Sequence, residues 1–238
     1  MQIGTTLLKA MADLVGTIID QVNVVPDEAG WCITAVDPAH VGMIRFRLNA
    51  DAFTDYEVCD RFAIDLTKMV TVLKDMGSDT EVKVSPETGR VTFKSDGTTR
   101  RFNLLSIGDE IPAFPVDRLP LDTFAVIDAD ELKARMKSLT TIREIVRFKA
   151  DEATGMVFSA NSDMEDMTVE FPLDKCKSVS GQAEATYPSA YLQGMFAILP
   201  KGLALQISFA SDLPVLLKFT ADDYVAEILI APQINEED

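Results

Sequence analysis

The sequence predicts an α+β protein of two similar domains, each with antiparallel sheets and two helices. The first ground is an internal repeat. Leu8-Lys9-Ala10 opens a segment that runs through Thr17-Ile18 to Asp27-Glu28-Ala29, and Leu132-Lys133-Ala134 opens another that runs through Thr141-Ile142 to Asp151-Glu152-Ala153. Every one of these residues keeps register at an offset of 124. A solenoid unit spans only ~20–50 residues, whereas a repeat of this length is the size of a domain. The second ground is that short apolar strands follow both Asp-Glu-Ala turns. The third is the stretch Ile107–Leu121, where Pro112, Pro115 and Pro120 interrupt any period. Proline fixes φ and removes a donor, so this stretch is extended and unfit for a sheet interior. The predicted division is residues 1–106, a connector over 107–121, and residues 122–238.

Each element has a local reason. Leu7, Leu8, Met11, Leu14 and Val15 recur at helical spacing, which predicts a helix over Thr5–Val15. The Ile- and Val-rich stretch Thr17–Val25 reads as a strand. Asp27-Glu28-Ala29-Gly30 supplies a turn in which Gly30 takes positive φ at little cost. Strands Trp31–Val36 and Val41–Leu48 follow, separated by Asp37-Pro38-Ala39-His40. Leu66, Met69, Val70 and Leu73 predict a second helix over Asp65–Met76, stopped by Gly77. Glu81–Ser85, Arg90–Ser95 and Thr99–Ser106 form a meander joined at Pro86–Gly89 and Asp96-Gly97. The second half reruns the plan: strand Phe124–Asp128, helix Ala129–Leu139, strands Gly155–Ala160 and Met167–Phe171, and a helix from Ser189 to Leu199 ended by Gly202. Strands Leu203–Ala210, Val215–Thr220 and Tyr224–Ile230 close the chain.

Composition narrows the chemistry. Of 238 residues, 47% are hydrophobic and 25% charged, ordinary for a chain with real cores, but the net charge is −16 and the pI near 4.4. Such acidity speaks to solubility and self-repulsion rather than to fold. Cys32, Cys59 and Cys176 are odd in number and far apart, which argues against a disulfide framework or a zinc site and for a reducing compartment. No apolar run approaches the ~20 residues of a membrane helix. Lys9 and Asp13 interrupt the first apolar stretch without a basic leader, so a signal peptide is not expected and an intracellular protein without membrane contact is. With His40 the one histidine, a His-based triad or multi-histidine metal site is disfavoured. Glycine-rich nucleotide loops and H-E-x-x-H are absent. Asp163, Glu165 and Asp166 form a small acidic cluster, read as a turn between strands. Neither a catalytic residue nor a metal nor a cofactor is expected.

These segments, in order, resemble the proliferating cell nuclear antigen (PCNA) family of sliding clamps. Asp37-Pro38-Ala39-His40-Val41 after Thr34-Ala35-Val36 is similar to the link between two strands of the clamp's first domain. Leu229-Ile230-Ala231-Pro232-Gln233-Ile234, followed by Asn235-Glu236-Glu237-Asp238, is similar to the clamp C-terminus, and Leu213-Pro214-Val215 and the helix before Gly77 also match. The family usually opens with a strand before the first helix; only Met1-Gln2-Ile3 precedes Gly4 here, so a shortened first strand is expected.

The resemblance implies a clamp-type (processivity) fold, a homotrimeric ring around duplex DNA, and a docking platform for DNA polymerase, clamp loader and other proteins carrying a clamp-binding peptide. Four helices per subunit would face the DNA, bringing Lys9, Lys68, Lys74, Lys133, Arg135, Lys137 and Lys201 toward phosphates without sequence preference. Counted over residues 5–15, 65–76, 129–141 and 189–201, those helices together carry a net charge of +2 within a chain of −16. Lys133 and Lys137 stand one turn apart, with Arg135 rotated away. The subunit interface would use the strand with Arg100, Arg101, Phe102 and Leu104 against the neighbour's strand with Met167, Val169 and Phe171. The partner peptide would dock among Val36, His40, Val41, Leu119, Leu121, Pro214, Leu229, Ala231 and Pro232. Leu229 replaces the aromatic residue usual near the chain end. The implied setting is the cytoplasm of an archaeon-like cell, or the nucleus of a eukaryote, with a viral origin left open. Two rival readings are a heteromeric checkpoint-type clamp subunit and an acid-rich metal-dependent hydrolase.

Asp supplies 24 of the 38 acids. That bias fits a salty cytoplasm and predicts a melting temperature that falls as salt is withdrawn. Thermal melts indifferent to salt would remove this reading.

Overall fold

The computed structural model describes residues 1–76, 80–95, 97–108, 113–142 and 144–233. The expected helix stop at Gly77, the turn residue Asp96, Pro112 of the connector, and the end from Ile234 to Asp238 lie outside the described residues. The chain divides into two compact units. One comprises Met1–Pro38, Met43–Phe114 and Ala221–Ala226; the other comprises Ala39–Gly42, Pro115–Thr220 and Glu227–Asp238. Among the described residues, no helix is long and apolar enough to cross a membrane.

The first unit runs β1 (Gln2–Ile3), α1 (Thr5–Val15), β2 (Gln21–Asp27), β3 (Gly30–Val36), β4 (Gly42–Asn49), β5 (Phe53–Thr54), β6 (Phe62–Asp65), α2 (Leu66–Lys74), β7 (Glu81–Ser85), β8 (Arg90–Ser95) and β9 (Thr98–Asn103). Its strands lie in the orders β5-β1-β7-β8-β9 and β4-β3-β2-β6. The second unit runs β10 (Thr123–Asp128), α3 (Ala129–Leu139), β11 (Ile145–Asp151), β12 (Gly155–Asn161), β13 (Asp166–Pro172), β14 (Cys176–Ser180), β15 (Gln182–Pro188), α4 (Ser189–Ile198), β16 (Ala204–Phe209), β17 (Val215–Thr220) and β18 (Tyr224–Ile230). Its orders are β14-β10-β16-β17-β18 and β13-β12-β11-β15, the same topology element for element. Both α1 and α3 have eleven residues and start at the 124-residue offset. As expected, β1 is short: two residues against six in β10.

The repeated residues have repeated jobs. Asp27 Oδ1 accepts from the Ala29 N–H at 2.9 Å, and Asp151 Oδ1 accepts from the Ala153 N–H at 2.8 Å, the same side-chain turn twice. Arg47 adds a 2.8 Å ion pair to Asp27, and that hydrogen bond holds the Asp27 carboxyl below its usual range against an opposing pull from partial burial. Gly30 follows the first turn with φ of 128°, and Gly155 follows the second with φ of 114°. A Cβ on Gly30 would stand 1.9 Å from the Leu48 carbonyl oxygen, and one on Gly155 would stand 2.2 Å from that of Phe171. Glycine is required at both for two independent reasons, φ and space. Carboxylates also start two helices. Asp65 accepts from the Lys68 N–H at 2.8 Å, and Asp128 accepts from those of Asp130 and Glu131.

Each unit buries its own core. In the first, Trp31 lies 4.8 Å from Phe53 and 5.1 Å from Phe62, ring centre to ring centre, with Ile33, Ile44 and Phe46 also buried. Its Nε1 is buried without a partner among the described residues. In the second, Phe148 meets Phe158 at 4.7 Å and Tyr187 at 4.9 Å, both edge to face, the geometry that suits aromatic quadrupoles.

Some expectations need correction. Thr17–Val25 is not all strand: Thr17 N–H donates to the Leu14 carbonyl and Ile18 N–H to that of Val15, so the helix unwinds through a turn and β2 starts at Gln21. Thr141 and Ile142 repeat these bonds to Ser138 and Leu139. β9 stops at Asn103 rather than Ser106. Strands β5, β6, β14 and β15 were not foreseen.

Substituting Gly30→Ala or Gly155→Ala is expected to cost about 3 kcal/mol or more, because each meets a carbonyl and a forbidden φ together. Chemical denaturation followed by the fluorescence of Trp31 reads the first directly. Loss of less than about 1 kcal/mol at either site would show that the turn can move.

Candidate functional site

Three surfaces carry the residues singled out from the sequence. The helices pack in pairs within each unit, α1 with α2 and α3 with α4. On α1, Lys9 is exposed near half-buried Asp13. On α2, Lys68 and Lys74 are exposed, with the Lys68 ammonium 6.0 Å from the Phe102 ring centre. A groove of about 290 Å³ runs along this pair, lined by Asp13, Asp20 and Lys74 among others. The α3–α4 pair has a groove of about 320 Å³ with an apolar floor of Met136 and Phe196 and a rim of Lys133 and Lys137. At the repeat offset, Lys137 stands where the first unit has Asp13, so the second groove is the cationic one.

The cations of α3 differ in freedom. Lys137 is exposed and makes no ion pair among the described residues. Lys133 is half-buried, and its ammonium reaches the Leu199 carbonyl at 3.5 Å, at the C-terminal end of α4, where a cation complements the helix dipole. Arg135, expected among the DNA-facing cations, is committed within its own unit. Its guanidinium bonds the Glu131 carboxylate, donates to the Glu170 carbonyl at 3.0 Å and lies 4.9 Å over the Phe171 ring. It ties α3 to β13 instead of projecting outward. Lys201 is exposed, one residue before Gly202, whose N–H donates to Asp130 Oδ2 at 2.9 Å.

The second surface consists of sheet edges. β9 pairs with β8 and ends its sheet; β13 pairs with β12 and ends its sheet. Phe102 is buried and stacked on Phe93, and Val169 and Phe171 are buried too. Leu104 and Met167 are half-buried. These side chains therefore anchor the two edge strands within their own units, while the strand backbones remain open along one side. Arg100 bonds Asp75 at 2.7 Å across 25 residues, so Arg101, which is exposed, is the cation available beside the β9 edge. The turn before β13 closes by Ser162 N–H donating to the Glu165 carbonyl at 2.8 Å, which puts Asp163 and Glu165 in a turn, as read from the sequence, while Asp166 opens β13.

The third surface lies in the second unit. Ala231 N–H donates to the Val41 carbonyl at 2.8 Å, tethering the His40–Val41 loop to the end of β18, and His40 takes φ of 57° there. Gln233 N–H donates to the Thr186 carbonyl at 2.8 Å and fixes the segment around Pro232. Tyr187 Oη donates to the Leu213 carbonyl at 2.9 Å and holds the loop carrying Pro214; burial pushes that phenol's pKa well above its ordinary value. Leu119 and Leu121 are half-buried, joined by a 2.9 Å bond from the Leu121 N–H to the Leu119 carbonyl. His40 is exposed and Ala231 and Pro232 are half-buried, whereas Leu229 is only 5% exposed and forms a floor rather than a wall. Val36 belongs to the first unit, half-buried at the end of β3. Thr186 and Tyr187 were missed from the sequence; the alternation of Ala183, Ala185 and Tyr187 was the available signal.

With this geometry in place, comparisons with known proteins give one answer. Residues 2–102 match the model of the proliferating cell nuclear antigen N-terminal domain. A DNA polymerase sliding clamp of Thermoplasma volcanium is 24% identical over 99% of both chains, and one of Methanocella arvoryzae is 27% identical over 95% of this chain and 97% of its own. Among solved structures, PCNA of A. fulgidus bound to the C-terminal region of FEN-1 superposes with a TM-score of 0.86 at 21% identity, over 99% of this chain and 98% of that one. A PCNA2–PCNA3 complex from Sulfolobus tokodaii gives 0.85 at 21%, over 98% and 99%. Along nearly its whole length the chain is therefore similar to DNA polymerase sliding clamps, and its first unit matches the PCNA N-terminal domain.

Proposed function

We propose that this protein is a sliding clamp: a homotrimeric ring that encircles duplex DNA, holds DNA polymerase on its template and offers docking sites to other replication and repair proteins. Its role is that of a non-catalytic scaffold. The observation that carries this reading is the duplicated topology, in which β9 ends a sheet of the first unit and β13 a sheet of the second.

An edge strand presents unpaired N–H and C=O groups that template pairing with another chain. Pairing β9 of one subunit with β13 of the next is a head-to-tail contact, and such contacts close into rings when the rotation fits. Arg101 would then approach the acidic strand carrying Asp166 and Glu170. Within the ring the four helices would face the duplex, with Lys137 in the leading position and Lys9, Lys68, Lys74 and Lys201 beside it. Contacts through exposed lysines are weak and sequence-independent, which suits a protein retained by topology rather than affinity. Partner peptides would dock on the second unit, where His40, Val41, Leu119, Leu121, Pro214 and Ala231 gather on tethered loops; a few apolar anchors at ~25 cal/mol per Å² suffice for micromolar binding. Replication in the cell compartment that holds the DNA follows from the same reading.

Sedimentation decides the assembly. A mass three times that of the chain is expected, and Arg101→Glu is expected to shift it toward monomer; a trimer unaffected by that change would count against the proposed charge contact. A monomer that trimerises only with other clamp subunits would favour the heteromeric reading. On primed circular template with the cognate polymerase, Lys137→Glu is expected to shorten product length without changing the melting temperature. Arg135→Ala should do the reverse, lowering stability by about 1–2 kcal/mol through its lost stacking and hydrogen bonds. Equal effects on both readouts would erase the distinction drawn between these two cations.

A further inference from the structure

The sheet β7-β8-β9 has a face that, Arg101 apart, no proposed role uses. Its buried face carries Val82, Val84, Val91, Phe93 and Phe102. Strand alternation sends Lys83, Arg90, Lys94 and Arg101 to the opposite face. The register aligns Lys83 with Thr92 and Thr92 with Arg101, so two cations flank a threonine across three strands. Lys94 lies two residues further along β8, opposite Glu81. Glu81, Lys83, Thr92, Lys94 and Arg101 line a polar cleft of about 230 Å³ together with Ser85.

Three facts set this face apart. Lys83, Lys94 and Arg101 make no ion pair among the described residues, in a chain with sixteen more acids than bases. The carboxylate in the cleft lining, Glu81, accepts a 2.9 Å hydrogen bond from Gln2 Nε2. The equivalent face of the second unit is different: Leu216, at the position matching Arg90, is 6% exposed, and Lys218, matching Thr92, is bound to buried Glu227 at 3.1 Å. The fold therefore does not demand a cationic face here.

We infer that this face is a second nucleic-acid contact, a phosphate-binding surface distinct from the helices. The choice of ligand follows from what the face lacks. It has no aromatic or large apolar side chain to anchor a peptide or to stack a base. It offers ammonium and guanidinium groups with hydroxyls between them, a donor set that suits phosphate oxygens. Repulsion from the rest of the acidic chain is screened beyond about 10 Å at 0.1 M salt, so the local charge governs. The inference does not depend on ring closure, since the whole face belongs to one unit.

The test uses the full chain and a fluorescent linear duplex of about 20 base pairs, followed by anisotropy from 50 to 200 mM salt. The variant is Lys83→Glu/Lys94→Glu; Arg101 is left alone because it lies on the edge strand proposed for assembly. It is measured alone and in a Lys137→Glu background, where the helical contribution is reduced. Affinity is expected to fall at least tenfold in both backgrounds. The slope of log K against log salt should lose about two phosphate contacts, or ~1.8. Lys83→Gln/Lys94→Gln should give an intermediate loss, and melting temperature and sedimented mass should stay unchanged. Unchanged affinity and slope would overturn the inference, as would equal competition by a poly-glutamate peptide, which would make the surface one for carboxylates. A chain that proves monomeric yet loses duplex binding with the double variant would overturn the ring and leave this face standing.

Discussion

The constraint on which the rest depends is the unpaired sheet edge. A strand with one neighbour leaves half its backbone donors and acceptors without protein partners, and a soluble chain must cover, blunt or use that edge. Here β9 and β13 run six and seven residues, with a proline only at the last position of β13, and their inward side chains lock them into place. Phe102, Val169 and Phe171 make each edge rigid while leaving it open. Rigidity matters because an edge that frays cannot hold a register with another chain. Arg135 fits the same logic: by gripping Glu131, Glu170 and Phe171 it braces β13 from the helix side. A cation that looks like a DNA contact in the sequence thus serves the edge instead.

Charge is the second organising quantity. At −16 the chain as a whole repels phosphate, so any contact with nucleic acid must come from local sorting. The helices achieve only a mild excess, and part of that is committed elsewhere: Lys133 reaches the end of α4 and Arg135 the β13 strand. What remains free is mostly single lysines. Weak, dispersed cations let a duplex move past, whereas a dense basic stripe would hold it in place. A retained ring needs the former.

Much of the architecture was legible because it rests on periodicity and on turns. The α1 and α3 boundaries followed from apolar spacing, and the Asp-Glu-Ala-Gly turn announced a hairpin whose glycine the structure requires. What was not legible had weak local signals. β15 buries Ala183 and Ala185, small residues without strand preference, and β14 is largely polar, so neither reads as a strand alone. Thr17-Ile18 misled in the opposite sense. Its β-branched residues suggest a strand, yet the two N–H groups are spent on the carbonyls of α1, and Ile18 plugs the core from a turn. At the candidate site, helical spacing already rotates Arg135 away from Lys133 and Lys137; what it grips there, Glu170 and Phe171 of β13, is read only from the structure. Alternation could place Tyr187 on a strand, but its hydrogen bond to a loop distant in sequence has no local signal.

The comparison between the two units separates what the fold needs from what the surface is for. The buried positions of matching strands remain apolar: Val84 and Ile207, Val91 and Leu217, Phe93 and Phe219 occupy equivalent places. Outward positions are free to diverge, because strand alternation uncouples the two faces of a sheet. Asp13 against Lys137 and Arg90 against Leu216 are two such divergences. Each alters which ligand a groove or sheet can meet without disturbing the core beneath it. A duplicated scaffold can therefore carry different surfaces in its two halves at little cost in stability. The first unit's cationic sheet and the second unit's tethered loops are best understood as two such uses of one frame.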